Sequence, residues 1–224
     1  YALAELFRGR VRIQELVITR PQLRLAWDAQ GHSNLLSVLP PAPAQAESPS
    51  PDPEAAIPLI LELVKIRQGM VDLTHPALPG VRQVDAIAME FSGETGEDGL
   101  HLRWQHGSAQ TMPAEVNLEA LQGALLVSAK GVQLEPWRLK TGTSQIALKG
   151  TLAADAHPTR LQLELVPLNM GEIGRLLGEQ TLQGEVRGVL QAAGPTEALE
   201  FDGRLSAGSG EMLLSGALDT QGPL

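Results

Sequence analysis

Leu148-Lys149-Gly150-Thr151-Leu152 is the stretch whose reading decides the fold of this chain. In an extended strand successive side chains point to opposite faces, so residues i, i+2 and i+4 share one face. Leu148, Gly150 and Leu152 therefore fall together, and Lys149 and Thr151 fall opposite. The same order of apolar, any, glycine, any, apolar returns at Leu121–Leu125, Leu182–Val186, Val186–Leu190, Phe201–Leu205 and Leu214–Leu218. The glycines so placed are Gly123, Gly150, Gly184, Gly188, Gly203 and Gly216. A chain that repeats this pattern builds a sheet with one shallow aliphatic face and one wetted face.

Composition supports that reading and narrows the function. Of the 224 residues 43% are hydrophobic but only 3% aromatic, so the apolar surface is made of Leu, Val, Ile and Ala. Frequent Gly (23) and Pro (16) suit many short strands joined by turns. A net charge of −9 argues against nucleic acid as a partner, as does the lack of basic residues interleaved with aromatics. No Lys/Arg cluster is present to hold anionic head groups. The absence of cysteine removes disulfides, zinc-thiolate sites and thiol nucleophiles. The start Tyr1-Ala-Leu-Ala-Glu-Leu-Phe7 has no signal-peptide pattern, no run is long enough to span a membrane, and Gln221-Gly-Pro-Leu224 reads as a turn. The chain thus reads as a segment of a longer protein.

Strand patterns begin at Val11–Ile13, Leu16–Ile18 and Pro21–Trp27, and Asp28–Gly31 is a hairpin-type turn signal. Asn34–Leu39 suggests a turn or two of helix. Residues 40–58 hold seven prolines among Ala, Ser, Gln, Asp and Glu and read as a flexible loop. Beyond it Ile66-Arg-Gln-Gly69-Met-Val71-Asp-Leu73 echoes Ile18-Thr-Arg-Pro21-Gln-Leu23-Arg-Leu25 at an offset of 48, suggesting repeated units of paired strands. Further strands are expected around 84–91, 100–104, 115–118, 124–129, 132–134, 145–148 and 160–165. Turns are expected at Gly93–Gly96, His106-Gly107, Thr141-Gly142 and Ala156–Pro158. The organisation is a first strand repeat (1–39), the Pro-rich loop (40–58) and continuing strands (59–224) of one architecture. One segment changes period. Met170, Ile173, Leu176 and Leu177 lie at helical spacing, with Pro167 before them and Gly178 after, so a short amphipathic helix near 168–179 should cover part of the apolar face.

Catalytic patterns are lacking. Gly31-His-Ser-Asn-Leu35 fails the nucleophile-elbow pattern at its last position, and Lys149-Gly150 reverses the order a P-loop needs. Gly208-Ser-Gly210-Glu-Met-Leu213 lacks the third glycine of a dinucleotide fingerprint. Asp72 with His75, and His101 with His106, fall short of the three or four converging ligands of a metal site. Glu94, Glu97 and Asp98 form an acidic turn, and Glu200, Asp202 and Arg204 share a wet strand face. The chain reads as a non-enzyme with no cofactor and no metal.

The opening stretch also carries a resemblance. Leu6-Phe-Arg-Gly-Arg-Val11-Arg-Ile13-Gln-Glu-Leu16-Val-Ile18-Thr-Arg-Pro21-Gln-Leu23-Arg-Leu25, followed by Asp28-Ala-Gln-Gly31-His-Ser-Asn34-Leu35, is similar to the opening periplasmic segment of the AsmA-like superfamily, its TamB-like members above all. The shared pattern is a strand, then I-x-x-P-x-L-x-L, then D-x-x-G-x-x-N-L. Ile66–Leu73 and the Leu-x-Gly-x-Leu series look like the family's later repeats. The resemblance implies a bridge that carries phospholipid across the periplasm of a Gram-negative bacterium, from the inner membrane toward the outer. It also implies an inner-membrane anchor outside this stretch, an outer-membrane partner of the BamA type and a part in outer-membrane biogenesis. No catalytic residues come with the family.

A meander with one apolar face can close into a barrel, stack on a second sheet or bind something apolar. Glycines at apolar parity favour a face that is shallow and open. The expected fold is all-β: a long antiparallel meander curled into an open hydrophobic groove, with one short helix. The expected lining is Leu23, Leu25, Trp27, Leu61, Leu63, Val71, Leu73, Leu100, Leu102, Trp104, Leu125, Val127, Val132, Leu134, Ile146, Leu148, Leu152, Leu161, Leu163, Leu165, Val186, Leu190, Phe201 and Leu205, with the six glycines above. Such a groove would shield acyl chains at about 0.8 kcal/mol per buried CH₂. The alternative use of such a sheet is as an assembly scaffold for outer-membrane proteins, whose exposed edge pairs with a client strand.

Overall fold

Alternation along most of the chain leaves little room for helix. The computed structural model describes residues 11–27, 34, 58–154, 158–195 and 198–219. Within them thirteen strands form one open sheet with one accompanying helix. Three short strands come first: β1 (Val11–Ile13), β2 (Leu16–Thr19) and β3 (Gln22–Ala26). Then follow β4 (Leu59–Thr74), β5 (Val81–Gly96), β6 (Gly99–Pro113), β7 (Asn117–Ser128), β8 (Gly131–Thr141), β9 (Gln145–Ala153) and β10 (Thr159–Asn169). Helix α1 (Met170–Leu177) separates β10 from β11 (Glu185–Gly194), β12 (Ala198–Ala207) and β13 (Gly210–Asp219). From β4 onward each strand pairs antiparallel with the next. The sheet is all-β and does not close into a barrel.

The antiparallel meander fails at one margin. β1, β2 and β3 run parallel to β4, as successive pieces of one broken strand. Their register explains the internal echo: Val11↔Leu59, Ile18↔Ile66 and Leu25↔Leu73 all keep the offset of 48. The repeated units lie side by side and share a defect as well as a sequence. Arg20 has φ 54° and Gln68, its counterpart 48 residues on, has φ 55°. Both occupy the left-handed region, where a side-chain-bearing residue is uncommon. Two neighbouring parallel strands therefore kink at one level.

Two expected turns are strand interior. Gly93 lies within β5, whose turn falls beyond Gly96, and His106-Gly107 lies within β6. These glycines make room for neighbours: a Cβ on Gly93 would stand 2.7 Å from a Leu102 methyl, and one on Gly107 2.9 Å from the Leu121 Cβ. The turn near Thr141-Gly142 is present between β8 and β9. The expected strand from Glu115 starts later, because residues 114–116 make the β6–β7 turn. Asp28–Gly31 and all of Asn34–Leu39 but Asn34 lie outside the described residues, as do residues 40–57 and most of Ala156–Pro158.

Helix α1 is shorter than its pattern and is capped at both ends. The Asn169 side chain accepts from the Glu172 backbone N–H, and Gly178 takes φ 72° to close the last turn. Leu176 packs beside Leu73 and Val84 against the buried cluster of Val81, Ala114 and Val116. The helix touches three turns. Gly80 donates to the Leu176 carbonyl (3.1 Å), and Arg175 Nε donates to the Ala114 carbonyl (3.1 Å). Thr141 and Ser144 donate their hydroxyls to Glu172 (2.5 Å each). In a flat sheet the first and third of these turns would lie four strand spacings, or roughly 19 Å, apart. An eight-residue helix is about 12 Å long, so the strand ends curl toward the apolar side to meet it.

Candidate functional site

Cross-strand partners share a face, so the register can be followed as bands across the sheet. One band passes through Ile13, Leu61, Gly93, Leu102, Leu125, Leu134, Gly150, Leu161, Ala192, Phe201 and Gly216. A second carries Leu16, Val64, Phe91, Trp104 and Gly123, then Trp137, Leu148, Leu163, Leu190, Gly203 and Leu214. A third, nearer α1, holds Ile18, Ile66, Met89 and Gly107, then Leu121, Leu139, Ile146, Leu165, Gly188, Leu205 and Met212. Ten strand spacings separate the two margins, which at about 4.8 Å each is a trough of roughly 50 Å. Every band position is apolar or glycine.

Most of the expected lining falls on this face. Leu100, Val127, Val132 and Leu152 form a fourth row at the strand ends away from α1. Leu23 with Val71, and Leu25 with Leu73, continue the face past the kink toward the helix. Val186 stands two residues before Gly188 and is half-buried, and Trp27 meets His75 edge-on at 5.0 Å. Two expectations need correction. Gly184 precedes β11 and lies in no strand; its carbonyl accepts from the Met170 N–H at the start of α1. Leu63 falls in a bulge between Leu61 and Val64, so Val64 takes the next ladder place and is buried. A bulge shifts parity by one residue, which counting by twos from Leu61 cannot register.

The same effect hid Trp137. The β8–β9 register slips between Leu134 and Trp137, the β7–β8 register slips beside it between Gln122 and Leu125, and Pro136 within the slip has no N–H to give. The Trp137 indole supplies a donor there, to the Ala124 carbonyl at 3.0 Å. Its ring lies over Gly123, where a Cβ would stand 2.7 Å from Trp137 Cγ. Trp104 approaches from β6, and the two rings are 4.8 Å apart, with Phe91 stacked beyond at 5.6 Å. In a flat sheet β6 and β8 are about 10 Å apart, so these side chains converge above the bare glycine. Proline followed by an aromatic was the available signal.

The face is not sealed. Among the described residues only Val64, Val81, Ile87, Ala114, Val116, Leu165 and Leu205 are buried hydrophobics. Leucines of the bands such as Leu61, Leu102, Leu125, Leu134, Leu161 and Leu163 are only partly buried. No second sheet covers them among the described residues.

The opposite face carries charge. Arg12–Glu62 (2.6 Å), Lys65–Glu15 (2.8 Å) and Lys140–Glu119 (2.7 Å) bridge neighbouring strands, each worth at most about 1 kcal/mol at such exposure. A hollow of about 620 Å³ near Lys149, Arg160, Gln162, Gln191 and Asp202 mixes both signs. His101 pairs with Asp98 at 2.8 Å, and that hydrogen bond lowers the Asp98 pKa. Among the described residues no three His, Cys, Asp or Glu side chains converge on a metal position, and no helix is long and apolar enough to cross a membrane.

One buried acid stands apart from these. Glu172 is 5% exposed. Burial pushes its carboxyl up, but hydrogen bonds from Ser144, Thr141 and Thr143 outweigh that and hold it below the usual carboxylate range. Its partners lie in the β8–β9 turn, so the carboxylate ties α1 to the sheet and faces away from the trough's open side.

No protein-family model, no curated protein and no solved structure matches this chain. The functional reading rests on the trough itself.

Proposed function

We propose that the chain is a segment of an AsmA-like bridge that holds phospholipid acyl chains in its aliphatic trough on their way between the inner and outer membranes of a Gram-negative envelope. The observation that carries this reading is the unbroken run of apolar and glycine positions from Ile13 to Gly216, mostly only partly buried and without a covering layer among the described residues. Aliphatic contacts are non-directional, so a chain laid along the bands can slide without breaking polar contacts. Head groups stay in water at the strand ends, where Val127 and Leu152 mark the open rim. A selective head-group pocket is not needed.

The test is mass spectrometry of lipid extracted from the chain after detergent-free purification from a bacterial envelope. Stoichiometric phospholipid is expected, and Leu163→Asp, in the middle of the second band, should abolish it while the strand signal in circular dichroism persists. Protein free of lipid at full occupancy of the fold would end this reading. The second reading, a scaffold for outer-membrane protein assembly with a BamA-type partner, draws on sheet margins that are unpaired among the described residues and predicts client crosslinks at those margins that Leu163→Asp leaves intact.

A further inference from the structure

Large rigid side chains are scarce in this chain: three Trp, three Phe and one Tyr. Three of them stand together in the second band of the trough, Phe91 on β5, Trp104 on β6 and Trp137 on β8. The strands that carry them cover three strand spacings, roughly 14 Å. On either side the band is aliphatic, with Leu16 and Val64 before the rings and Leu148, Leu163 and Leu190 after them. Filling the space above Gly123 takes Trp137 alone, whose atoms are the ones a Cβ there would meet. Trp104 and Phe91 extend the ring surface two strands further. The three side chains are pinned by their mutual contacts at 4.8 and 5.6 Å, and the Trp137 indole gives its single N–H to the Ala124 carbonyl. Yet none of the three is buried, and no second sheet covers them among the described residues.

We propose that Phe91, Trp104 and Trp137 are the holding site of the trough, where a bound acyl chain rests longest. The inference rests on the reading of the trough as a phospholipid carrier and adds a position to it. A leucine or methionine covered by a passing chain loses rotamer freedom. A ring already pinned in place loses none, and such preorganisation is gained as affinity. A flat ring also offers more apolar contact than a leucine does. Acyl methylenes therefore bind the aromatic stretch more tightly than the aliphatic stretches on either side, over which they slide.

Tryptophan emission reads this position directly, because Trp27 is the one tryptophan outside the stretch. It lies past the kink, edge-on to His75. The probe is phosphatidylethanolamine brominated halfway along one acyl chain, loaded from vesicles that are then removed by sedimentation, with unbrominated lipid as reference. In Trp27→Phe the emission comes from Trp104 and Trp137, and the brominated lipid should quench most of it. In the double variant Trp104→Phe/Trp137→Phe it comes from Trp27, and quenching should be slight. Trp137→Leu should release lipid to acceptor vesicles about 2- to 10-fold faster, the span that ordering one flexible side chain costs. Trp104→Leu, which leaves the Trp137–Ala124 bond in place, should do the same, and Leu190→Met should not. Bound lipid that leaves Trp104 and Trp137 unquenched, or release unchanged in both leucine variants, overturns the holding site and leaves the lipid reading standing. Rings shielded from acrylamide in the lipid-free chain would show that other chain covers them, and would overturn it too. A chain that takes up no lipid, brominated or not, overturns both.

Discussion

The strand ends beside α1 and the strand ends opposite carry the same alternation and meet different fates. Beside α1, Val81, Ala114 and Val116 are buried under Leu176. Opposite, Val127 and Leu152 remain 40% and 36% exposed on the same face. Strand patterning orients side chains, but it does not bury them. Burial needs a second layer, and the described residues supply eight helical residues of it at one rim. The helix end is thus the fold's anchor and the open end its accessible surface. A charge placed at each should separate the two roles.

The largest effect is expected from Val81→Asp. Val81 is 4% exposed and packs in the cluster that α1 completes. An unpaired carboxylate there should cost about 3–5 kcal/mol, read as a loss of denaturant midpoint with unchanged slope. A loss under 1 kcal/mol would mean the helix rim is no better packed than the open one.

Next comes the tie between helix and sheet. Glu172→Gln removes the charge that Thr141 and Ser144 serve at 2.5 Å, and hydrogen bonds to a charged group are worth about 1.5–3 kcal/mol each. A destabilisation of about 2–3 kcal/mol is expected at neutral pH. The sign of the pH effect follows from the depressed pKa of Glu172 in the fold. The unfolded carboxyl takes up its proton at higher pH than the folded one. Stability from this group is therefore full above about pH 4.3, the ordinary glutamate value, and drains as pH falls through the lower folded value. The wild-type chain should show that acid-limb slope in urea titrations between pH 5 and 2 (roughly the span over which a paired carboxylate protonates), and Glu172→Gln should flatten it.

Between the rims, Gly123→Ala tests whether the trough's middle has room. The added methyl meets the Trp137 ring at 2.7 Å. Overpacking of this kind costs about 1–3 kcal/mol. Trp137 should tilt off Ala124, and tryptophan emission should shift as the Trp104–Trp137 contact opens. An unchanged spectrum would show that the methyl is taken up without moving the rings, and that the middle has room to spare as the open rim does.

Strand identity, the glycine series and the helix were legible because each depends on local periodicity, which Met170, Ile173, Leu176 and Gly178 keep over a short run. The echo at 48 was legible too, but its meaning was not: matched sequence serves two stacked repeats or two parallel neighbours equally well, and only the register of Ile18 with Ile66 separates them. Leu63 was misplaced and Trp137 left without a face for one reason, since a bulge moves parity without leaving a reliable trace in composition. Gly93 and Gly107 passed for turns because a packing glycine and a turn glycine are the same letter. Glu172 could be seen as a polar residue in an amphipathic helix. Its partners Thr141 and Ser144 arrive from a turn some thirty residues away, and nothing local announces them.

The smallest effect on stability, and the sharpest use of the comparison, is expected from Leu152→Asp. Leu152 shares the apolar face with Val132, yet it is already in contact with water, and a surface change of this kind usually stays within about 0.5 kcal/mol. If the open rim serves only as structure, the variant should match the wild-type chain in every assay. If acyl chains enter the trough there, a carboxylate at the rim adds a desolvation cost to each passage while leaving the floor unchanged. Lipid bound at equilibrium should then fall less than in Leu163→Asp, and exchange of a fluorescent phospholipid with vesicles should slow by more than the occupancy falls. Equal losses in occupancy and exchange would place the entry elsewhere along the strands.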